Sequence, residues 1–188
     1  MDIILASNSS FRKNALDILG LKYKVISSNF DEKSIRNENP EELAKELAEA
    51  KAKVVGEKNK NAIIIAADLF VVFNNKVYEK PETKNEAFEM LKSFSGNNID
   101  IIAGLAVYNS STEKMLSSAD KYTVKFRELK DYEINDYIER DPVLKLSGAF
   151  GPNGLVRFAE TIEGHYPFVT ALPMSKLILF LRENGLRV

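Results

Sequence analysis

Asp68 is the residue from which chemistry in this chain has to be argued. It is the one carboxylate in an apolar stretch, Ala62 to Phe73, that reads AIIIAADLFVVF. Runs rich in Ile and Val predict strand buried on both faces. An ionised carboxylate there is costly unless something meets its charge. A divalent metal ion or a cluster of basic side chains would do so. A strand-end turn offering backbone N–H groups would serve equally. Asn74-Asn75 predicts a hairpin turn. The return strand then leads to Glu79-Lys80-Pro81 and brings Lys80 back toward the acid.

Two other cations stand on faces where charge is unusual. On a helix from about Phe11 to Leu19, Arg12 falls beside Ala15, Leu16 and Leu19, with Lys13, Asn14 and Asp17 outward. On a helix from Glu41 to about Glu57, Leu43, Leu47, Ala50 and Val54 recur at spacings of four, three and four. At 100° per residue Lys51 lies inside that apolar arc, whereas Lys45 and Lys53 lie on the acidic face. Each inward cation either meets an anion, for which phosphate is well suited, or snorkels to solvent. Before the first helix, Asp2 to Ala6 predicts a strand, and Ser7-Asn8-Ser9-Ser10 is a loop of helix-capping hydroxyls. A strand, a small polar loop and a helix N-terminus in that order bind anions well.

These cations with Asp68 and a second acid, Glu32, suit phosphoryl or nucleotidyl transfer to water. Asp31-Glu32 by composition alone reads as part of a solvated loop, Asn29 to Asn39. Other chemistries fit poorly. Cysteine is absent, which removes disulfides, thiolate nucleophiles and Cys-ligated zinc. One histidine, His165, excludes a His-rich metal site, and its turn-like setting favours a structural or substrate-edge role over catalysis. Any metal is therefore held by oxygen, which favours Mg²⁺ or Mn²⁺. There is no GxxxxGK[ST] loop, and no second acid two residues after Asp68 for a DxD-type aspartyl-phosphate mechanism.

The elements that must position these groups suit one domain of 188 residues, or one domain in two lobes. Hydrophobic residues make up 45%, enough for a core, and charged residues 28%. The net charge of −1 argues against a nucleic-acid polymer as partner. No stretch is apolar enough to span a membrane and no signal-peptide layout opens the chain, so the expected location is the cytoplasm. Further strands are predicted at Lys22 to Ser27, Ile99 to Tyr108 and Lys121 to Phe126, the last two joined by the polar turn Ser110 to Glu113. Helices are predicted at Lys84 to Phe94, capped by Thr83, at Tyr132 to Arg140, and from Pro173 onward. In the last, Met174, Leu177, Ile178 and Leu181 form a core stripe. Leu146 to Arg157, with Gly148, Gly151 and Gly154, reads as a loop, and Thr161 to Leu172 as strand and turn.

Leu5-Ala6-Ser7-Asn8-Ser9-Ser10-Phe11-Arg12 resembles the L-A-S-x-S-P-R-R signature of Maf proteins, a family of nucleoside triphosphate pyrophosphatases. The likeness runs along nearly the whole chain. Leu47-Ala48-Glu49-Ala50-Lys51-Ala52 is similar to L-A-x-x-K-A, Ala67-Asp68 to A-D-T, Lys80-Pro81 to G-K-P, and Phe94-Ser95-Gly96 to L-S-G. Gly148-Ala149-Phe150 and Gly164-His165-Tyr166 through Leu172-Pro173 match two late motifs. The resemblance implies a mixed, elongated α/β sheet with flanking helices, in two lobes around a cleft, like that of inosine triphosphate pyrophosphatases. It implies metal-dependent hydrolysis of a nucleoside triphosphate to monophosphate and pyrophosphate, with Mg²⁺ or Mn²⁺, and removal of non-standard or surplus nucleotides. It implies Asp68 and Glu32 as catalytic and metal-binding acids, and Lys51 and Lys80 as catalytic cations. Ser7, Ser9, Arg12 and, in the late glycine loop, Asn153 become substrate contacts, and a homodimer is expected.

Several positions depart from the pattern. Ser10 and Phe11 replace the Pro and first Arg, Leu69 the Thr after the aspartate, Glu79 the Gly of G-K-P, and Ala171 the Gly before the late Leu-Pro. Phe11 and Leu69 keep a second reading open: a nucleotide-binding regulator of cell division with little turnover.

Overall fold

The computed structural model describes residues 1–164 and 171–188. His165, expected to have a structural or substrate-edge role, lies outside the described residues. The chain is a mixed α/β fold. Its elements in order are β1 (Asp2–Leu5), α1 (Ser10–Ile18), β2 (Lys24–Val25), α2 (Pro40–Lys58), β3 (Ala62–Phe73) and β4 (Lys76–Tyr78). There follow α3 (Lys84–Phe94), β5 (Asn98–Asn109), β6 (Lys114–Phe126), α4 (Asp131–Arg140), α5 (Pro152–Phe158), β7 (Ala159–Glu163) and α6 (Met174–Glu183). All seven strands join one sheet in the order β2-β1-β3-β5-β6-β7, with β4 paired to β3. No described helix is long and apolar enough to cross a membrane.

The chain divides into two compact units. The first comprises residues 1–68, 103–120 and 171–188; the second, 69–102 and 121–164.

In the first unit β1 runs parallel to both β2 and β3, with Leu5 opposite Val25 and Ile65. Successive residues of a strand face opposite sides, so each strand feeds two cores. Leu5, Ile63, Ile65, Ala67, Leu105 and Val107 pack with Ala15 and Leu16 of α1 and Leu177 and Leu181 of α6. Ile4, Ala62, Ile64, Ala66, Ala106 and Tyr108 pack with Ala48, Ala52 and Val55 of α2. The α2 side of this second core is made of small residues, and that lets helix and sheet come very close. A Cβ placed on Gly104 would lie 2.1 Å from the Ala44 carbonyl oxygen, and one on Gly56 would lie 2.5 Å from the Tyr108 ring. The buried arc of α2 is centred on Ala44, Ala48, Ala52 and Val55, while Leu43, Ala50 and Val54 lie at its margin, only partly buried.

The second unit has an aromatic core. Phe94 meets Phe73, Tyr78, Phe126 and Phe150 at ring centroid distances of 4.9 to 6.0 Å, all edge to face. Asn74 and Asn75, with φ of 50° and 59°, make the turn that returns β3 into β4. Thr83 caps α3 by accepting from Glu86 N.

Three expectations need correcting. The strand predicted over residues 22–27 is paired only at Lys24–Val25. The strand predicted from Lys121 begins at Lys114, directly after the turn. The supposed glycine loop holds one short 3₁₀ turn, Ser147–Ala149, and a helix, α5, with Pro152 at its first position and Gly154 buried against Phe150 and Tyr137.

Candidate functional site

Alternation along β3 decides where Asp68 points. Ile64 and Ala66 face α2, so Asp68, two residues further on, faces α2 as well. On α2, Lys51 is one turn from Ala48 and Val55 on the buried side and is only 7% exposed. The two side chains meet: Lys51 Nζ lies 2.5 Å from Asp68 Oδ1. The close approach of α2 at Gly104 and Gly56 brings the helix near enough for this contact. Lys51 therefore does not snorkel. Lys53, two residues on, is exposed, and Lys45 pairs with Glu42 across one turn of α2.

Glu32 completes the group. It opens a short 3₁₀ turn, Glu32–Ser34, whose first N–H groups are held by Asp31: Lys33 N donates to Asp31 Oδ1 at 3.0 Å. Glu32 Oε1 lies 2.8 Å from Lys51 Nζ, with the carboxylate about half exposed. One buried ammonium thus bridges two carboxylates, one deep and one at the surface. By composition the Asp31-Glu32 loop read as solvated. The contact gives Glu32 a buried partner although the residue itself stays half exposed, and Asp31 remains an exposed loop residue.

Arg12 approaches from α1 and is partly buried. Its Nη1 donates to Ser7 Oγ at 3.2 Å and its Nε to the Ala171 carbonyl at 3.5 Å. Ser7 Oγ also accepts from Ser9 N at 3.2 Å, which shapes the loop after β1. Ser9 is the N-cap of α1 and accepts from Arg12 N. Ala171 was not among the residues singled out for the site. Its signal was present in the sequence, because it stands where the resembled pattern has glycine, and its φ is +50°.

Burial and charge set the protonation of this cluster. Burial raises the Asp68 pKa above its ordinary value, opposed by Lys51 and, more weakly, by Arg12. Burial lowers that of Arg12, and the charges of Asp68 and Glu32 work against the loss. Asp68 Oδ2 is buried and has no hydrogen-bond partner among the described residues. A carboxylate oxygen left in that state costs about 1–3 kcal/mol or more.

Ser7, Ser9, Arg12, Glu32, Lys51 and Asp68 all belong to the first unit. Lys80 and Asn153 belong to the second. Lys80 is exposed, two residues beyond the end of β4, and no described carboxylate pairs with it. Asn153 is exposed in the first turn of α5, and its Nδ2 donates to Asp141 Oδ1 at 2.8 Å.

The donor set can be tested against a divalent ion. Among the described residues no group of three or more His, Cys, Asp or Glu side chains is gathered. The chain itself offers two carboxylates, one of them with an unpartnered buried oxygen. That fits Mg²⁺ or Mn²⁺, which keep most of their waters and bind through one or two carboxylates plus substrate phosphates. It does not fit an ion that needs a complete protein cage.

Comparison with known proteins gives the same direction. A dTTP/UTP pyrophosphatase of Clostridium tetani is 38% identical over 192 residues, covering all of both chains. A 7-methyl-GTP pyrophosphatase of Aliivibrio fischeri is 35% identical over 188 residues, covering 99% of this chain and 97% of its own. Among solved structures, a HAM1 protein from Coxiella burnetii aligns with a TM-score of 0.51 at 14% identity, over 97% of this chain and 99% of that one. That likeness concerns the fold alone, and it is the kind of fold the resemblance in the sequence implied. The sequence model described as Maf-like protein matches residues 2–184, and the chain belongs to that family.

Proposed function

We propose that the protein hydrolyses a nucleoside triphosphate to the monophosphate and pyrophosphate. The observation that carries the reading is the buried Lys51–Asp68 pair with its unpartnered carboxylate oxygen. A merely structural ion pair would satisfy both oxygens. The names of the relatives, two kinds of nucleotide pyrophosphatase, support it at full length.

On this reading Arg12 and Lys51 bind the triphosphate and offset charge as the α-phosphorus is attacked, while Lys80 is assigned a catalytic role only through the family pattern. Ser7 aims the Arg12 guanidinium, and Ser9 caps the N-terminus of α1 by accepting from Arg12 N. Water adds to the α-phosphorus, the bond from that phosphorus to the bridging oxygen breaks, and pyrophosphate leaves with the electron pair. Asp68 Oδ2 takes the water proton or orients the water that loses it. A raised pKa suits a base working near neutrality. Asp68 and Glu32 would hold Mg²⁺ or Mn²⁺, which supplies Lewis-acid stabilisation of phosphoryl oxygens. Asn153 of α5 is assigned to the substrate only through the family pattern. We place the enzyme in the cytoplasm, where its substrates are.

The test is product analysis with Mg²⁺ over dTTP, UTP, 7-methyl-GTP and the common triphosphates, run in ¹⁸O-water. The expected result is pyrophosphate and a monophosphate carrying the label. Orthophosphate and a diphosphate would show that the bond assignment is wrong. Tight nucleotide binding without turnover would favour the regulator instead.

A further inference from the structure

Lys51 occupies the position that a divalent ion would need. Its ammonium lies 2.5 Å from Asp68 Oδ1 and 2.8 Å from Glu32 Oε1, and it is almost fully buried. These are the two carboxylates that fit the metal. A dication placed between them would meet a full positive charge within a few ångströms, in surroundings that screen poorly. Yet Asp68 keeps a second oxygen, Oδ2, buried and unpartnered. The site is therefore half prepared: an acceptor is waiting, and its neighbour is held by the chain's own cation.

We infer that Lys51 is an internal place-holder for the divalent ion, so that metal binding requires the nucleotide. The phosphates give Lys51 another anion to pair with. Moving its ammonium from the carboxylates to a phosphate releases Asp68 Oδ1 and Glu32 Oε1 together. The metal and the triphosphate then bind cooperatively, because each removes the obstacle to the other. Without nucleotide both carboxylates stay paired with the ammonium, and the empty enzyme does not collect free cations. The inference rests on the proposed metal role of Asp68 and Glu32. It goes beyond it in assigning the order of binding and the residue that enforces it.

The experiment measures protein-bound Mn²⁺ by water-proton relaxation enhancement, with no turnover needed. Wild type is titrated with Mn²⁺ alone, then with Mn²⁺ and α,β-imido-UTP, whose reacting bridge resists hydrolysis. Lys51→Met, close in shape and uncharged, is titrated in the same two ways. Wild type should show little enhancement until the nucleotide is added. Lys51→Met should bind Mn²⁺ without nucleotide roughly tenfold or more tightly than wild type does. Should that variant fold poorly, Lys51→Gln takes its place, and the wild-type comparison stands in either case. Equal Mn²⁺ affinity in wild type and variant without nucleotide overturns the place-holder while leaving the metal site intact. The same holds if the variant, like wild type, binds only with nucleotide. Absence of bound Mn²⁺ under every condition sinks the metal assignment itself, and the place-holder with it.

Discussion

Each unit holds one prominent charge cluster, and the two are built on opposite rules. In the second unit Arg127 grips Glu133 with two parallel hydrogen bonds of 3.0 and 2.7 Å. Glu133 also accepts from Lys130 N, and Arg127 Nε donates to the Arg157 carbonyl. The charged forms are satisfied, and the Glu133 pKa falls to about 2, chiefly through the bonds from Arg127 and Lys130. In the first unit Lys51 bridges Asp68 and Glu32, burial drives the Asp68 pKa the other way, and one of its oxygens is unpartnered. Satisfied charge stabilises a fold. Charge held short of satisfaction costs stability and is kept for something that arrives later.

The strongest way to break this contrast is to neutralise both acids. Asp68→Asn keeps shape and removes the charge, and Lys51 still has Glu32. The variant should stay folded and lose ~10²–10⁴ or more in kcat, the usual cost of a missing general base. Glu133→Gln should leave kcat unchanged. An active Asp68→Asn protein would move the reacting centre elsewhere.

A second test stays on one helix. Lys51→Ala should lower kcat/KM by about 10- to 100-fold, the worth of a charge-assisted contact to phosphate. Lys53→Ala, on the exposed side of α2, should leave it near wild type. Steady-state kinetics on the best nucleotide decides. Equal losses would mean that burial of Lys51 has no functional meaning.

Much of the first cluster was legible in the sequence, for a physical reason. Lys51 follows from a 100° period and the cost of a bare Asp68 from the apolar run around it, and both are local; the side that Asp68 faces shows only in the structure. Glu32 was not legible on the same grounds. Its contact joins a loop to a helix 19 residues later, and only the family pattern pointed to it. In the second unit α5 was lost among glycines. Gly151 is its N-cap and Gly154 gives room to Phe150 and Tyr137, so packing decided a segment whose propensities favour a loop. The first half of β6, Lys114 to Asp120, was hidden by its Ser-Ser-Ala-Asp composition and is fixed by its neighbours in the sheet. Two lobes were expected from length and from the resemblance, but the places where the chain passes from one unit to the other were hidden, because β3, β5 and β6 run on through them without a break in pattern.

A third test uses acid. Glu133 is depressed from 4.5 to about 2 in the fold. The stability it contributes is fully present above about pH 4.5 and is lost as pH falls toward 2. Glu133→Gln should be less stable than wild type by about 1 kcal/mol at neutral pH, the scale of a well-made exposed pair with a helix cap. The gap should close in denaturant melts taken between those two pH values. A constant gap would mean that Glu133 acts by packing. Asp68 has the opposite sign: its raised pKa makes the native state hold a proton more readily than the unfolded chain, so its ionisation costs stability as pH rises through the acid range.

The smallest effect expected is at Ala171. Its φ of +50° lies in the left-handed region, where a Cβ costs roughly 1–2 kcal/mol. Of the other non-glycine left-handed positions described in the first unit, two are asparagines, Asn29 and Asn61, which tolerate that region better, and one is Glu113. An alanine there is held by what surrounds it, and its carbonyl is the acceptor for Arg12 Nε. Ala171→Gly relieves the Cβ strain and loses ~0.4–1 kcal/mol through a more flexible unfolded chain. The net should be a gain of about 0.5 kcal/mol, read as a small rise in the denaturation midpoint. The carbonyl stays where Arg12 needs it, so kcat/KM should hold. A loss of stability would show that the methyl group packs for more than the strain it causes. A fall in kcat/KM with stability unchanged would show that the stiffness of Ala171, and not its carbonyl alone, keeps Arg12 aimed.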